Sequence, residues 1–222
     1  MPKQVDHEER REAISQAVWQ VVSESGLEGL TLRAVATAGG CTTGMVTHYF
    51  RDKRALLAHA RALMHRRMAD RIDALPAPSD PRAALYAVAE QALPLDEVRR
   101  REAVVWSQFL LTTRNDPALF GEHTRSHASW IDRLTALTRA ACPEDPEAAV
   151  LDVRVRALVA CVDGLALNAV TDPDAYPPEL QRQVLKTQLD LVLGRPSARP
   201  SPASEPAPAP GAARKPAKDC RT

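Results

Sequence analysis

The chain is poor in aromatic residues, with three each of Trp, Tyr and Phe among 222 residues. It contains no uninterrupted apolar run of about 18 residues, so no membrane-spanning helix is expected. The opening MPKQVDHEERREA has no apolar stretch of the kind that directs export, and a cytoplasmic location is expected from it. GxSxG, GxxxxGK[ST] and GxGxxG are all missing, which removes the nucleophile elbow, the phosphate loop and the dinucleotide fingerprint. Cys41, Cys142, Cys161 and Cys220 stand far apart without a close pair, and they read as free thiols. His123 and His127 have metal-chelating i, i+4 spacing, but no Glu follows His123 and no third ligand is apparent. Neither an enzyme, nor a metal site, nor a cofactor is expected; an enzyme housed in a helical bundle is the remaining catalytic alternative.

Net charge is also nearly absent, at +1, but this is an average over unlike segments. Residues 1–71 carry eleven Lys and Arg against eight Asp and Glu, residues 72–194 twelve against eighteen, and residues 195–222 six against two. The last segment has seven prolines in 28 residues and no Leu, Ile, Val or aromatic residue, so it cannot bury a core. It reads as a disordered basic tail, either a solvated linker end or an arm adding non-specific DNA affinity.

Residues 1–194 show no convincing strand alternation, whereas helical spacing recurs. Ile14, Val18, Val21 and Val22 follow it, as do Leu56, Ala60, Leu63 and Met64, and again Leu185, Leu189, Val192 and Leu193. Gly, Pro and Asp clusters divide the chain into about nine helices. The expected fold is all-α, with a three-helix unit at 1–52, a helical bundle at 53–194 and the tail at 195–222. Five of the nine glycines fall between Gly26 and Gly44, within the compact first unit.

The stretch TLRAVATAGGCTTGMVTHYF, Thr31 to Phe50, has helix-turn-helix grammar. Thr31 caps one helix, Gly39-Gly40 allows the left-handed backbone that ends it, and Thr42 caps a second. Met45 or Val46, with Tyr49 and Phe50, would pack inward, leaving Thr43, Gly44, Thr47 and His48 outward. Hydroxyls, an imidazole and a positive helix end suit base edges and phosphates, and Gly44 permits close approach. Arg51, Lys53 and Arg54 could clamp phosphates, with ordinary solvated surface as the alternative for the two arginines.

From Ala13 to Leu57, the positions Gly26-Leu27, Thr31, Val35-Ala36, Gly40, Thr42, Gly44, His48-Tyr49-Phe50, Lys53 and Leu56-Leu57 resemble the DNA-binding domain of TetR-family transcriptional regulators. Cys41 and Gly39 depart from the usual aliphatic residue and alanine. The resemblance implies a homodimer that binds a (pseudo)palindromic double-stranded operator and, in most members, a repressor released by a small-molecule effector. It places Thr42, Thr43, Met45, Thr47 and His48 at the major groove, Tyr49 and Lys53 at phosphates, and Thr31 and Arg33 near the backbone. Packing is the competing role for Met45 and Tyr49. A DNA-binding adaptor that recruits a protein partner is the alternative function.

The acidic bundle is expected to stand away from DNA. Its helix from about Asp145 to Asp172 is apolar nearly all round, so it needs cover on several sides; with Pro178 to Leu193 it is the expected two-fold interface. Pro94 to Leu111 and Val162 to Val170 are similar to the regulatory domain of the BetI-type branch of these regulators, named for a repressor responsive to choline. Tyr86, Trp106, Phe109, Trp130, Asp163 and Asn168 are the expected effector-pocket residues. Trp106 and Trp130 near Asp163 could cage an organic cation; core packing for the aromatics and structural hydrogen bonds for Asp163 and Asn168 are the alternatives.

Overall fold

The computed structural model describes residues 2–76, 78–113 and 117–194, and the 195–222 tail lies outside the described residues. Nine helices follow one another among them: α1 Pro2–Ser25, α2 Leu32–Ala38, α3 Thr43–Tyr49, α4 Lys53–Asp73, α5 Pro81–Glu90, α6 Glu97–Thr113, α7 Pro117–Ala141, α8 Ala148–Thr171 and α9 Pro178–Leu193. The fold is all-α, with a helix-turn-helix unit ahead of a helical bundle.

Local chemistry sets these boundaries. Thr31 accepts from the Ala34 N–H at 3.0 Å, Thr42 from Met45 at 3.1 Å and Asp52 from Ala55 at 2.8 Å, each satisfying a donor that helix geometry leaves open. Between α2 and α3 the chain turns at Gly40, with φ +58°, and the Cys41 N–H returns to the Ala36 carbonyl at 2.9 Å. That is a Schellman ending, which needs a residue at ease in the left-handed region. Pro81 and Pro178 start α5 and α9, where the missing N–H costs nothing.

Two cores form. The first joins α1, α2, α3 and the opening turns of α4 through Ile14, Val18, Val22, Leu30, Val35, Val46 and Phe50. It continues past the expected boundary at Asp52, taking in Leu56, Leu57, Ala60, Leu63 and Met64, and it receives Val105 and Phe109 from α6. One long helix and two of seven residues bury too little apolar surface alone, and α4 and α6 supply the rest. The second core gathers Ile72, Leu85, Leu134, Leu151, Val155, Leu158, Val162, Leu185 and Leu189 from α4, α5, α7, α8 and α9, with Leu93 from the α5–α6 connection. Helix α4, 21 residues or about 30 Å long, is therefore part of both.

Candidate nucleic-acid interface and effector cavity

The outer surface of the first body is set by the phase of α3. Val46 is fully buried and Phe50 nearly so, while Thr42, Thr43, Gly44, Thr47 and His48 are exposed and Met45 is half-buried on the flank. A β-carbon added at Gly44 would meet nothing closer than the Thr42 Oγ1 at 3.8 Å, so the helix itself does not require glycine there. The Thr47 hydroxyl donates to the Gly44 carbonyl at 3.0 Å. The oxygen keeps its lone pairs and can still accept from a partner. Tyr49 is half-buried, its ring 4.6 Å from that of His7 on α1 and 5.2 Å, edge-on, from that of His48. Thr31, Arg33 and Lys53 are exposed at the helix starts beside this face. Of the ten candidate contacts eight are exposed, and Met45 and Tyr49 are half-buried. Arg51 is exposed and pairs with Asp52 at 3.2 Å.

The α1–α4 join beneath this surface is polar as well as apolar. His59 Nδ1 lies 2.7 Å from the Ser15 hydroxyl and its Nε2 lies 3.1 Å from Glu8. Burial lowers the His59 pKa against the opposing pull of Glu8, and the His59 hydrogen bond lowers that of Glu8. Trp19 Nε1 donates to the Ala60 carbonyl at 3.0 Å, and Arg67 lies over the Trp19 ring.

A cavity of ≈ 180 Å³ lies among α4, α6, α7 and α8. Apolar walls come from Met64, Met68, Trp106, Leu110 and Trp130. Arg61 is wholly buried, its Nη2 2.6 Å from the His123 Nδ1. Arg71 makes a two-bond fork to Glu102, at 2.9 and 2.7 Å, fixing α4 to α6. Burial pushes the Asp163 carboxyl up to about 6. The His123 pKa is lowered by burial, then by Arg61 and His127, whose ring stacks 5.5 Å away. A shallower groove of ≈ 330 Å³ between α4 and α7 shares His65, Met68, Ser126 and Trp130 with the cavity and continues it outward.

The comparisons with known proteins agree with this two-body layout. Residues 14–60 match the model for bacterial regulatory proteins of the tetR family, and residues 81–194 that for the BetI-type transcriptional repressor C-terminal domain. The HTH-type transcriptional regulator PksA of Bacillus subtilis is 34% identical over 196 residues, covering 86% of this chain and 94% of that protein. The chain belongs to the TetR family. It is a DNA-binding transcriptional regulator, and TetR-family regulators are not enzymes. BetI of Paraburkholderia phymatum is 28% identical over 203 residues, covering 89% of this chain and all of that protein. Among solved structures, a transcriptional regulator from Rhodococcus sp. Rha1 superposes with a TM-score of 0.76 at 33% identity, covering 82% of this chain and 95% of that one. A regulator from Saccharomonospora viridis, solved in complex with choline, has a TM-score of 0.74 at 21% identity, covering 82% and 96%; that likeness concerns the fold.

TetR-family regulators dimerise, bind operator DNA and bind small-molecule effectors. Of the six expected pocket residues in this member, Trp106, Trp130 and Asp163 line the cavity together. Phe109, Tyr86 and Asn168 do not, and each has a physical reason. Phe109 is fully buried in the first core, where it shares a face of α6 with Val105. Tyr86 packs on the second core and donates to Glu90 at 3.2 Å. Asn168 is exposed beside Leu167 on the outer side of α8. Sequence reasoning missed Arg61, Arg71 and Glu102. The signal available for Arg61 was a charge in the row Leu57, Arg61, Met64 and Met68, an apolar face where an unmatched guanidinium needs a reason.

Proposed function

We propose that this chain is a ligand-controlled repressor, released from a (pseudo)palindromic operator in the cytoplasm when a small molecule occupies the cavity. One observation carries the reading: α4 builds both the DNA-binding body and the cavity wall. Leu56, Leu57 and Ala60 belong to the first core, and Arg61, Met64, His65, Met68 and Arg71 to the cavity. A ligand that favours one placement of α4 biases the spacing of two heads, which must meet half-sites about 34–36 Å apart or a multiple of that. Thr42, Thr43, Met45, Thr47 and His48 are proposed to read the major groove, with Thr31, Arg33, Tyr49 and Lys53 holding the backbone and Gly44 giving clearance.

Dimerisation is proposed through α8 and α9. Val153, Ala157, Ala160, Leu167 and Asn168 make one exposed, mostly apolar stripe on α8, and Leu180 and Leu191 continue it on α9. Exposed apolar faces of this length need cover, and a two-fold mate covers both with one interface. The names of the BetI relatives and the choline complex of the Saccharomonospora viridis neighbour make organic cations one class to assay. The test is operator binding, by anisotropy, on DNA selected from random sequence by the full chain. Ligands that shift the cavity tryptophans' emission should weaken operator affinity at least tenfold; equal affinity with a bound ligand sinks the sensor reading.

A further inference from the structure

The geometry points to an amphipathic anion, an apolar body bearing a carboxylate or phosphate, as the ligand of this cavity, an inference that rests on the cavity being the effector site. Residues 72–194 are acidic, yet the hollow they form with α4 is lined by arginines from both. Among the described lining residues, Arg61, Arg71 and Arg99 border the cavity and Arg66, Arg125 and Arg133 the adjoining groove, against two carboxylates, Glu102 and Asp163. Glu102 is consumed by its fork to Arg71. Arg99 is held by Asp96, Arg66 by Glu8 and Glu12, and Arg133 by Asp73, all carboxylates outside the lining. The Arg66 and Arg133 pairs are exposed and contribute little, so an incoming anion competes for those two guanidiniums, whereas Arg99 is largely buried against Asp96. Arg61 and Arg125 are also engaged by neighbours, so an anion meets guanidinium groups that already have partners and exchanges with those partners rather than filling a vacancy.

The inner end is suited to an oxyanion. Arginine has donors only, so the 2.6 Å contact makes His123 Nδ1 the acceptor and puts the His123 proton on Nε2, a second donor beside a buried positive charge. Charge-assisted hydrogen bonds to carboxylate or phosphate are strong in such surroundings. Met64, Met68, Trp106, Leu110 and Trp130 cover the apolar body. Asp163 with the two tryptophans offers a cation the opposite invitation, since a carboxyl pushed up to about 6 is still mostly ionised at neutral pH, and the ammonium arm of the experiment decides between the two.

The experiment titrates the full-length protein with octanoate, octyl phosphate and octyltrimethylammonium, following tryptophan emission and operator anisotropy in parallel. At least one anion should bind ten times tighter than the ammonium, and which one it is separates carboxylate from phosphate recognition. Arg61→Gln should weaken that anion at least tenfold. Should Arg61→Gln fail to fold, the surface variant Arg133→Glu should still weaken it several-fold. Ammonium binding as tight as either anion, no binding by either anion, or Arg133→Glu and a folded Arg61→Gln both within twofold of wild type would each overturn the inference. An anion that binds without releasing DNA removes the sensor reading alone; an ammonium that binds tighter and releases DNA removes the anion inference alone.

Discussion

At the scale of single residues, Gly44 separates what the helix needs from what the interface needs. Its surroundings leave room for a methyl group, and alanine is the better helix former. Gly44→Ala should therefore raise thermal stability by about 0.5 kcal/mol while lowering operator affinity at least tenfold. A variant that is more stable and binds DNA normally would remove Gly44 from the interface. Lys53 and Thr47 divide differently. Lys53, exposed at the first position of α4, offers charge without sequence choice, so Lys53→Ala should weaken all DNA sequences alike and lower the salt slope by about one. Thr47 offers an acceptor oxygen as well as a methyl group, and Thr47→Ala should cost about 1 kcal/mol at one base pair only. Affinities measured across an operator library at two salt concentrations distinguish the patterns.

At the scale of elements, the join between α1 and α4 decides how rigidly the first body is carried. Ser15, His59 and Glu8 link the two helices beneath Phe50, whose ring lies 5.4 Å from that of His59. Both titrating groups have folded pKa values below their ordinary ones. The folded state thus binds protons less readily than the unfolded chain. Their contribution is whole above pH about 6.5, the ordinary value for histidine, and is lost first as His59 and then as Glu8 takes up a proton. Urea denaturation should show stability falling between pH 7 and 5, and His59→Gln should flatten that slope. An unchanged slope in the variant would place the pH dependence elsewhere.

The elements also show how far the pattern of residues reaches. Each of the three apolar rows read from spacing is buried: Ile14, Val18, Val21 and Val22; Leu56, Ala60, Leu63 and Met64; Leu185, Leu189, Val192 and Leu193. Spacing specifies a face without specifying its neighbour. Trp106 and Phe109 lie one turn apart on α6 and both pack on the first core, yet only Trp106 also lines the cavity, because α6 runs between the two. The same ambiguity surrounds Met45 and Val46, where a one-residue change of phase exchanges core for surface. Packing settles it in favour of a buried Val46.

At the scale of the whole molecule, the exposed apolar stripes of α8 and α9 are the surface proposed for dimerisation. Leu191 is 75% exposed and Leu167 is 47% exposed. Leu191→Glu would place two like charges near a two-fold axis and strip the stripe of its largest exposed group, so the protein should sediment as a monomer with its helical content intact. Operator affinity should fall by at least a hundredfold, because one head cannot use both half-sites. A variant still dimeric at micromolar concentration would move the interface away from α9.

What the amino-acid order determined by itself was local or periodic: capped helices at Thr31, Thr42 and Asp52, the glycine turn at Gly40, the buried rows and the outward hydroxyls of α3. These depend on contacts within a few residues or on a repeat of 3.6, both written along the chain. The tertiary structure alone decided which faces meet. It put Arg61 of α4, Glu102 of α6, His123 of α7 and Asp163 of α8 around one hollow, although they span about a hundred positions in the chain. The physical reason is that a cavity's charge is a sum over helices brought together by burial elsewhere, in the apolar rows that hold them, and no single helix records that sum.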